Sequence, residues 1–306
     1  MTAEPTLQRI AARAAELGGG MQIRRALPTA ARRLIGAWCF LDHFGPADIA
    51  ASRGLRVGPH PHIGLQTVTW LLDGEVLHRD SLGNLQLIRP GQLNLMTSGL
   101  GIAHSEESPE PHPASLHGLQ LWIALPDAVR RMSPAFHHYP SLPSLQRDGI
   151  TMTLVVGEAF GERSPATVHS QLLGLDLLLA AGARCQLPLR GDFEYGLVVT
   201  QGTLTLGGET LHPGTLLYLG GGRDSLAVHA ERTTHAFLIG GLPLGEPVLM
   251  WWNFVARSRA EIEQATDDWN RGALYLGTVA GYDGPRLSAP VPPWQSAGPD
   301  AVVTYP

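Results

Sequence analysis

At 306 residues, 44% apolar and 16% charged, the chain has enough material for two packed domains and too little charge for a disordered one. A formal charge of −5 without any basic run excludes a surface dedicated to nucleic acid. No apolar stretch approaches the roughly 20 residues of a membrane span, and Cys39 and Cys185 are too few and too far apart for a disulfide framework, so a soluble cytoplasmic protein is expected.

The Ala-rich start is broken by Glu4, Arg9, Arg13 and Glu16, unlike a signal peptide, and a short helix is expected within Pro5–Leu17. Beyond it, Gly and Pro (36 and 24 residues) cut the chain into short apolar runs. In the first half these are Thr67–Leu72, Leu85–Ile88 and Leu119–Leu125. In the second they are Thr151–Val156, Leu173–Ala180, Tyr195–Thr200, Thr203–Leu206 and Ala236–Ile239. Such runs between turn residues read as strands, and many in series read as an all-β barrel or sandwich. Thr67–Leu72 also alternates, with Val68, Trp70 and Leu72 on one face and Thr67 and Thr69 on the other.

Asp73-Gly74 predicts a hairpin turn, and Pro90-Gly91 a further turn before another apolar run. Gln201-Gly202 and Pro213-Gly214, followed by Thr215–Leu219, repeat the pattern. The repeat predicts two copies of one barrel unit, residues 1–145 and 146–306, joined near Tyr139–Gly149. Late in the chain Ser258-Arg259-Ala260-Glu261 has the form of a capping box. Ile262, Ala265 and Trp269 follow at helical spacing, and Gly272 supplies a stop. The Pro-rich tail from Gly284 to Pro306 is expected to run extended over the surface.

Nine of the thirteen histidines precede residue 139, and two pairs among them have metal-ligand form: His60-Pro61-His62 and His104-Ser105-Glu106. Residues i and i+2 of a strand share a face, so each pair can aim two donors at one point inside a barrel. Imidazoles with one carboxylate suit a divalent first-row metal. A solitary His-x-His, or a His paired with a nearby Glu, explains the same spelling without a metal, and spacing alone leaves both readings open. His78-Arg79-Asp80-Ser81 reads as a buried or turn-stabilising element rather than a catalytic one. His137 and His138 point to opposite faces. His229-Ala230-Glu231 has no His-x-His counterpart in Gln186–Arg190, so no metal is expected in the second half. Trp251, Trp252 and Trp294 read as packing aromatics.

The segment Gly58–Glu106 carries, in order, His60-Pro61-His62-Ile63-Gly64, Thr67-Val68-Thr69, Gly74-Glu75, His78-Arg79-Asp80-Ser81, Gly83-Asn84, Pro90-Gly91, Met96-Thr97 and Gly101-Ile102-Ala103-His104-Ser105-Glu106. This string resembles the pirin family, a branch of the cupin superfamily. The likeness continues at Phe40–Pro46, Leu116–Trp122, Pro134–Pro140, Pro243–Pro247 and the helix around Glu261-Ile262 with Asp267-Asp268-Trp269, so it covers most of the chain. It implies two tandem cupin barrels (double-stranded β-helix, or jelly-roll) with a few short helices.

The resemblance also implies one divalent ion in the first barrel, Fe(II) in the cell, with Zn, Ni or Mn able to replace it on purification. The family's three His and one Glu fall on His60, His62, His104 and Glu106. Two departures bear on the surroundings: Ile63-Gly64-Leu65-Gln66 stands where most relatives have Arg-Gly-Phe-Glu, and Leu95 stands where Trp is usual. Gln66 is expected to share strand parity with His62 and reach a metal-bound water, and Leu95 to reshape the cavity wall. The implied activity is that of a quercetin 2,3-dioxygenase, opening a flavonol ring with dioxygen, with Glu106 as the catalytic residue that takes the substrate's hydroxyl proton. The alternative is a metal- or redox-dependent regulator that binds a transcription factor or metabolic enzyme, with no direct contact to nucleic acid or membrane.

Overall fold

In the computed structural model, which describes residues 7–18 and 20–296, the apolar runs between Gly and Pro breakers are strands, and two sheets in each half carry them. The larger sheet of the first half orders its strands Ala135–Tyr139, Leu93–Thr97, Leu65–Asp73, Ser115–Ala124, Trp38–Asp48, Met21–Leu27 and Arg13–Leu17. Its smaller sheet runs Arg56–His62, Ile102–Glu107, Val76–Asp80, Leu85–Ile88. In the second half the larger sheet runs Gln8–Ala11, Thr215–Gly220, Glu194–Gln201, Thr234–Gly241, Leu172–Leu179, Ile150–Val156, Ser144–Arg147. The smaller one runs Arg184–Pro188, Ser225–His229, Leu204–Leu206, Glu209–Leu211. The two lists match place for place, so the chain is an all-β pair of cupin barrels.

The turns named from the sequence bear the repeat out, but they are not hairpins. Leu65–Asp73 is hydrogen-bonded on both sides, by Leu93–Thr97 and Ser115–Ala124, and has no free edge for the strand that follows it. Asp73-Gly74 therefore hands the chain from the large sheet to the small one, and Gln201-Gly202 does the same in the second half.

The expected N-terminal helix is absent among the described residues; Pro5 and Thr6 lie outside them. Gln8–Ala11 pairs instead with Thr215–Tyr218, and Arg13–Leu17 with Met21–Arg25. Completing an open sheet edge and burying Ile10 outweigh the helix propensity of a few alanines.

The two large sheets pack face to face. Val68, Trp70, Leu119, Leu121 and Ile123 from one meet Val155, Val198, Leu216, Phe237 and Ile239 from the other. Leu95 belongs to this layer and not to a cavity wall, a correction to the sequence reading. Trp38 crosses the layer, its indole N–H donating to Leu173 O at 3.2 Å and Gly240 O at 3.1 Å. Gly36 just before it sits at φ +56°, where a Cβ would lie 2.8 Å from Gly241 Cα, so no larger residue fits.

Both ends of the chain cross the expected division after residue 145. The first strand, Gln8–Ala11, joins the second half's sheet. From Leu249 onward the chain packs against the first half, with Phe254, Ile262, Trp269 and Leu276 around Ala103. The helix Arg259–Arg271 is capped as its sequence predicts: Ser258 Oγ accepts from Glu261 N–H, and Gly272 ends it at φ 79°. Glu261 reaches back one residue further than a capping box requires, accepting from Arg257 N–H at 2.8 Å. The described tail is without regular structure from Pro285 to Pro292, with Leu287 N–H donating to Pro59 O at 2.8 Å. Pro293–Ser296 forms a helical turn, and residues 297–306 lie outside the described part. Among the described residues no helix is long and apolar enough to cross a membrane.

Candidate metal centre

Both histidine pairs lie on the small sheet of the first barrel, on neighbouring antiparallel strands. His60 faces His104 across the ladder, and His62 faces Ile102. A bulge between His104 and Glu106 shifts the register, leaving Glu106 opposite Val57 on one side and His78 on the other. His60, His62 and His104 each bring a nitrogen within 4.8 Å of the others, and His78, His104 and Glu106 form a second such group. The four residues named from the sequence thus fall into two groups that share His104: His60 and His62 in one, Glu106 in the other, where His78 is added. All four are buried, Glu106 at 8% being the most accessible.

Backbone carbonyls aim two of the rings. His60 Nδ1 lies 2.8 Å from Gly58 O, and His62 Nδ1 lies 3.0 Å from Asn253 O. A carbonyl only accepts, so Nδ1 carries the hydrogen in both rings and Nε2 is a bare lone pair. Asn253 comes from the turn between Leu249–Trp251 and Phe254–Ala256, in the returning C-terminal segment. That turn is held by Val255 N–H donating to Ile63 O at 3.1 Å. Gly64 permits the approach: it sits at φ +70°, and a Cβ there would lie 2.1 Å from Val255 O.

Burial governs the charges. It lowers His60 to about 4, with His78 adding to the effect, and lowers His62 and His104 well below the usual value, with neighbouring imidazoles reinforcing it. All three rings are therefore neutral near pH 7, the form a metal requires. Burial pushes the Glu106 carboxyl up, against His78 and the Thr69 hydroxyl, which pull it down. Burial also acts to raise Asp80, but hydrogen bonds from His78 and Asn84 outweigh it and hold that carboxyl below its ordinary value.

The residues fit a divalent ion. Nε2 of His62 and Nε2 of His104 are 3.0 Å apart, the spacing of two nitrogens bound at right angles with bonds of about 2.1 Å. When ionised, the buried Glu106 carboxylate also adds a negative charge that a cation would compensate.

The surroundings are mixed. Phe40 and Trp122 stack with centroids 3.9 Å apart, and the Trp122 ring stands edge-on to His62 at 5.0 Å. The Arg25 guanidinium lies 4.6 Å from the Phe40 ring centre and makes two 2.8 Å bonds to buried Asp42. The Thr69 hydroxyl lies 3.0 Å from Glu106 Oε1 and 3.1 Å from Gln120 Oε1. It has one hydrogen, so with the Gln120 amide turned to donate, Thr69 accepts from Gln120 and donates to Glu106.

Other residues fall elsewhere. Gln66 does not face the centre: its amide donates to Thr97 Oγ1 at 2.9 Å and Thr167 O at 3.1 Å, on the same side as Val68 and Trp70. Parity with His62 fails because the chain leaves one strand for another at Ile63-Gly64. His138 Nδ1 lies 2.7 Å from Asn94 Oδ1, and His229 pairs with Arg184 and Thr205 on the small sheet of the second half. Trp251 and Trp294 pack together near the tail. Asn253 had no signal in the sequence. Thr69 had one, since alternation set it on the face opposite Val68 and Trp70.

Fold and centre together define a two-barrel cupin protein with a histidine- and carboxylate-lined site in its first barrel. The family model for Pirin matches residues 20–123, and that for the Pirin C-terminal cupin domain matches residues 174–275. A Pseudomonas aeruginosa protein provisionally named quercetin 2,3-dioxygenase is 51% identical over 292 residues, 95% of this chain and 92% of its own length. Human pirin is 31% identical over 264 residues, covering 82% and 87%. The crystal structure of a quercetin 2,3-dioxygenase from Acinetobacter baumannii superposes with a TM-score of 0.92 at 45% identity, covering 94% and 96%. The chain belongs to the pirin family.

Proposed function

We propose that the protein is a single-metal dioxygenase of the quercetin 2,3-dioxygenase type, with His60, His62, His104 and Glu106 as ligands, Fe(II) as the ion and a flavonol-like aromatic as substrate. The observation that supports this reading is the group of three neutral, buried imidazoles His60, His62 and His104, with the buried Glu106 beside His104 and Trp122 edge-on to His62. The names of the 51% and 45% identical relatives support the substrate class. When bound, the ion would supply a Lewis acid for a substrate oxygen and electrons for dioxygen.

The chain's own residues do the rest. Phe40 and Trp122 supply the aromatic side chains beside His62. Glu106, the one carboxylate among the four, takes the hydroxyl proton. Thr69, backed by Gln120, keeps Glu106 Oε1 oriented. The unpaired thiols of Cys39 and Cys185 suit the cytoplasm.

Oxygen uptake by iron-loaded protein with a panel of flavonols tests the reading. Turnover is expected in the wild type and absent in His104→Ala. Glu106→Gln should keep part of its metal, because the amide retains an oxygen donor, yet lose turnover, because it takes no proton. No uptake above the free-metal control with any flavonol would end this proposal. A protein-binding regulator would then lead, and the exposed Leu100 and Tyr275, which share a groove beside the helix Arg259–Arg271, are the surface on which it would act.

A further inference from the structure

Two residues beside the centre have no part in the roles above, though each is only 2% exposed: His78 and Asp80. Asp80 is immobilised by the turn that follows it. Its Oδ1 accepts from Leu82 N–H at 2.9 Å and Asn84 N–H at 3.1 Å, and the Asn84 amide donates to both oxygens at 3.0 and 2.8 Å. Asp80 Oδ2 lies 3.1 Å from His78 Nε2. The His78 ring stacks on Phe136, centroids 4.3 Å apart and planes 12° from parallel, so it is not free to turn. Its other nitrogen, Nδ1, lies 3.4 Å from Nδ1 of His104.

The hydrogens follow from the acceptors. A carboxylate only accepts, so His78 Nε2 carries a hydrogen toward Asp80, and with the ring neutral its Nδ1 is bare. A bare Nδ1 is satisfied when His104 carries its own hydrogen on Nδ1. The lone pair of His104 is then on Nε2, the nitrogen 3.0 Å from His62 Nε2. Each ring of the triad thus has Nδ1 engaged: His60 by Gly58 O, His62 by Asn253 O, His104 by His78. We infer that Asp80 and His78 form a hydrogen-bond relay that fixes the orientation and tautomer of His104 and so offers Nε2 to the metal. Both are positioning residues, and the inference rests on the metal centre proposed above.

The test reads metal affinity and tautomer rather than turnover. Asp80→Asn can present an N–H to His78 Nε2, which reverses the relay and moves the His104 hydrogen to Nε2, where it blocks ligation. Its affinity for Zn(II), by competition with a chromophoric chelator, is expected to fall about 10–100-fold. His78→Phe keeps a ring on Phe136 without an acceptor and should lose as much. His78→Gln can donate to Asp80 and accept from His104, and should stay close to wild type.

Nitrogen-15 spectra of histidine-labelled, metal-free protein should show the His104 Nε2 as unprotonated in wild type and protonated in Asp80→Asn. If Asp80→Asn does not fold, the two His78 variants decide. Wild-type affinity in both Asp80→Asn and His78→Phe, while His62→Ala has lost its metal, would overturn the relay and leave the centre standing. A His78→Gln variant as weak as His78→Phe, or two ions per chain with His78 as a ligand, would also overturn it. Undiminished binding in His62→Ala would instead count against the centre itself.

Discussion

In the small sheet of the first barrel His60 stands across the ladder from His104; in the matching strands of the second, Leu187 stands across from Leu226. Around Leu187 and Leu226 lie Leu206, Leu211, Val228 and Leu238, all buried in one apolar cluster of the second half. The first barrel keeps such a core only in part, in Ile23, Phe44, Leu71, Val76 and Ile88. Its remainder is given to His, Thr69, Gln120 and Glu106, each held by a named partner. The strand path does not depend on what fills that part, because the layer between the large sheets and the turns between sheets are common to both halves. Polar and apolar side chains can therefore fill matching places in the two copies without a change of fold.

The contrast is open to attack from both sides. The largest effect is expected from His62→Ala, which should lose most of its metal by elemental analysis while keeping the melting temperature of the metal-free wild type. Full occupancy would contradict the ligand assignment. Next is Leu226→Ala, which should cost about 2–5 kcal/mol in urea unfolding, as a buried leucine truncation does, and leave the metal content unchanged. If His104→Ala and Leu226→Ala destabilised the metal-free protein equally, the two interiors would not differ as described.

Gln66→Glu places carboxylate oxygens where an amide N–H now donates to Thr167 O, and should destabilise by about 1–3 kcal/mol. A large change in metal affinity without loss of stability would show that the side chain faces the centre after all.

The smallest effect concerns pH. His43 and His117 lie between the barrels with their Nε2 atoms 2.8 Å apart, beside Arg24, Asp73 and His235, which Asp176 holds. Burial, then Arg24, lowers His43 to about 3, and burial, then His235, lowers His117 to about 4. Both are neutral in the fold and take up protons on unfolding once the pH falls below 6.5. Their contribution to stability is thus complete above that value and is lost as the pH falls toward 4, by no more than about 1.4 kcal/mol per pH unit for each. In His117→Asn, urea midpoints should fall less steeply across this range; an unchanged slope would remove the pair from the account.

Much of this was legible in the sequence, for reasons of period. Short runs between Gly and Pro read as strands because a strand needs few residues, and the capped helix showed at Ser258 and Gly272 because caps are local. The ligands were legible because i, i+2 pairs share a face within one strand. What failed was what crosses from one strand to the next. Parity could not be carried over Gly64, so Gln66 was set on the wrong side, and Asp73-Gly74 gave no sign of which sheet would receive Val76. Pro5–Leu17 was misread because the edge that claims Gln8–Ala11 lies some two hundred residues away, at Thr215–Tyr218. Asn253 was invisible for the same reason.

The carbonyl of Asn253 sets an order of events during synthesis. His62 and Asn253 are 191 residues apart in the chain. A ribosome adding about 5–20 residues per second therefore delivers the carbonyl roughly 10–40 s after the imidazole it aims. Through that interval the first barrel has its histidines but not the acceptor that holds His62 Nδ1–H. Only a chain translated past the strands of the second barrel carries the acceptor that orients His62.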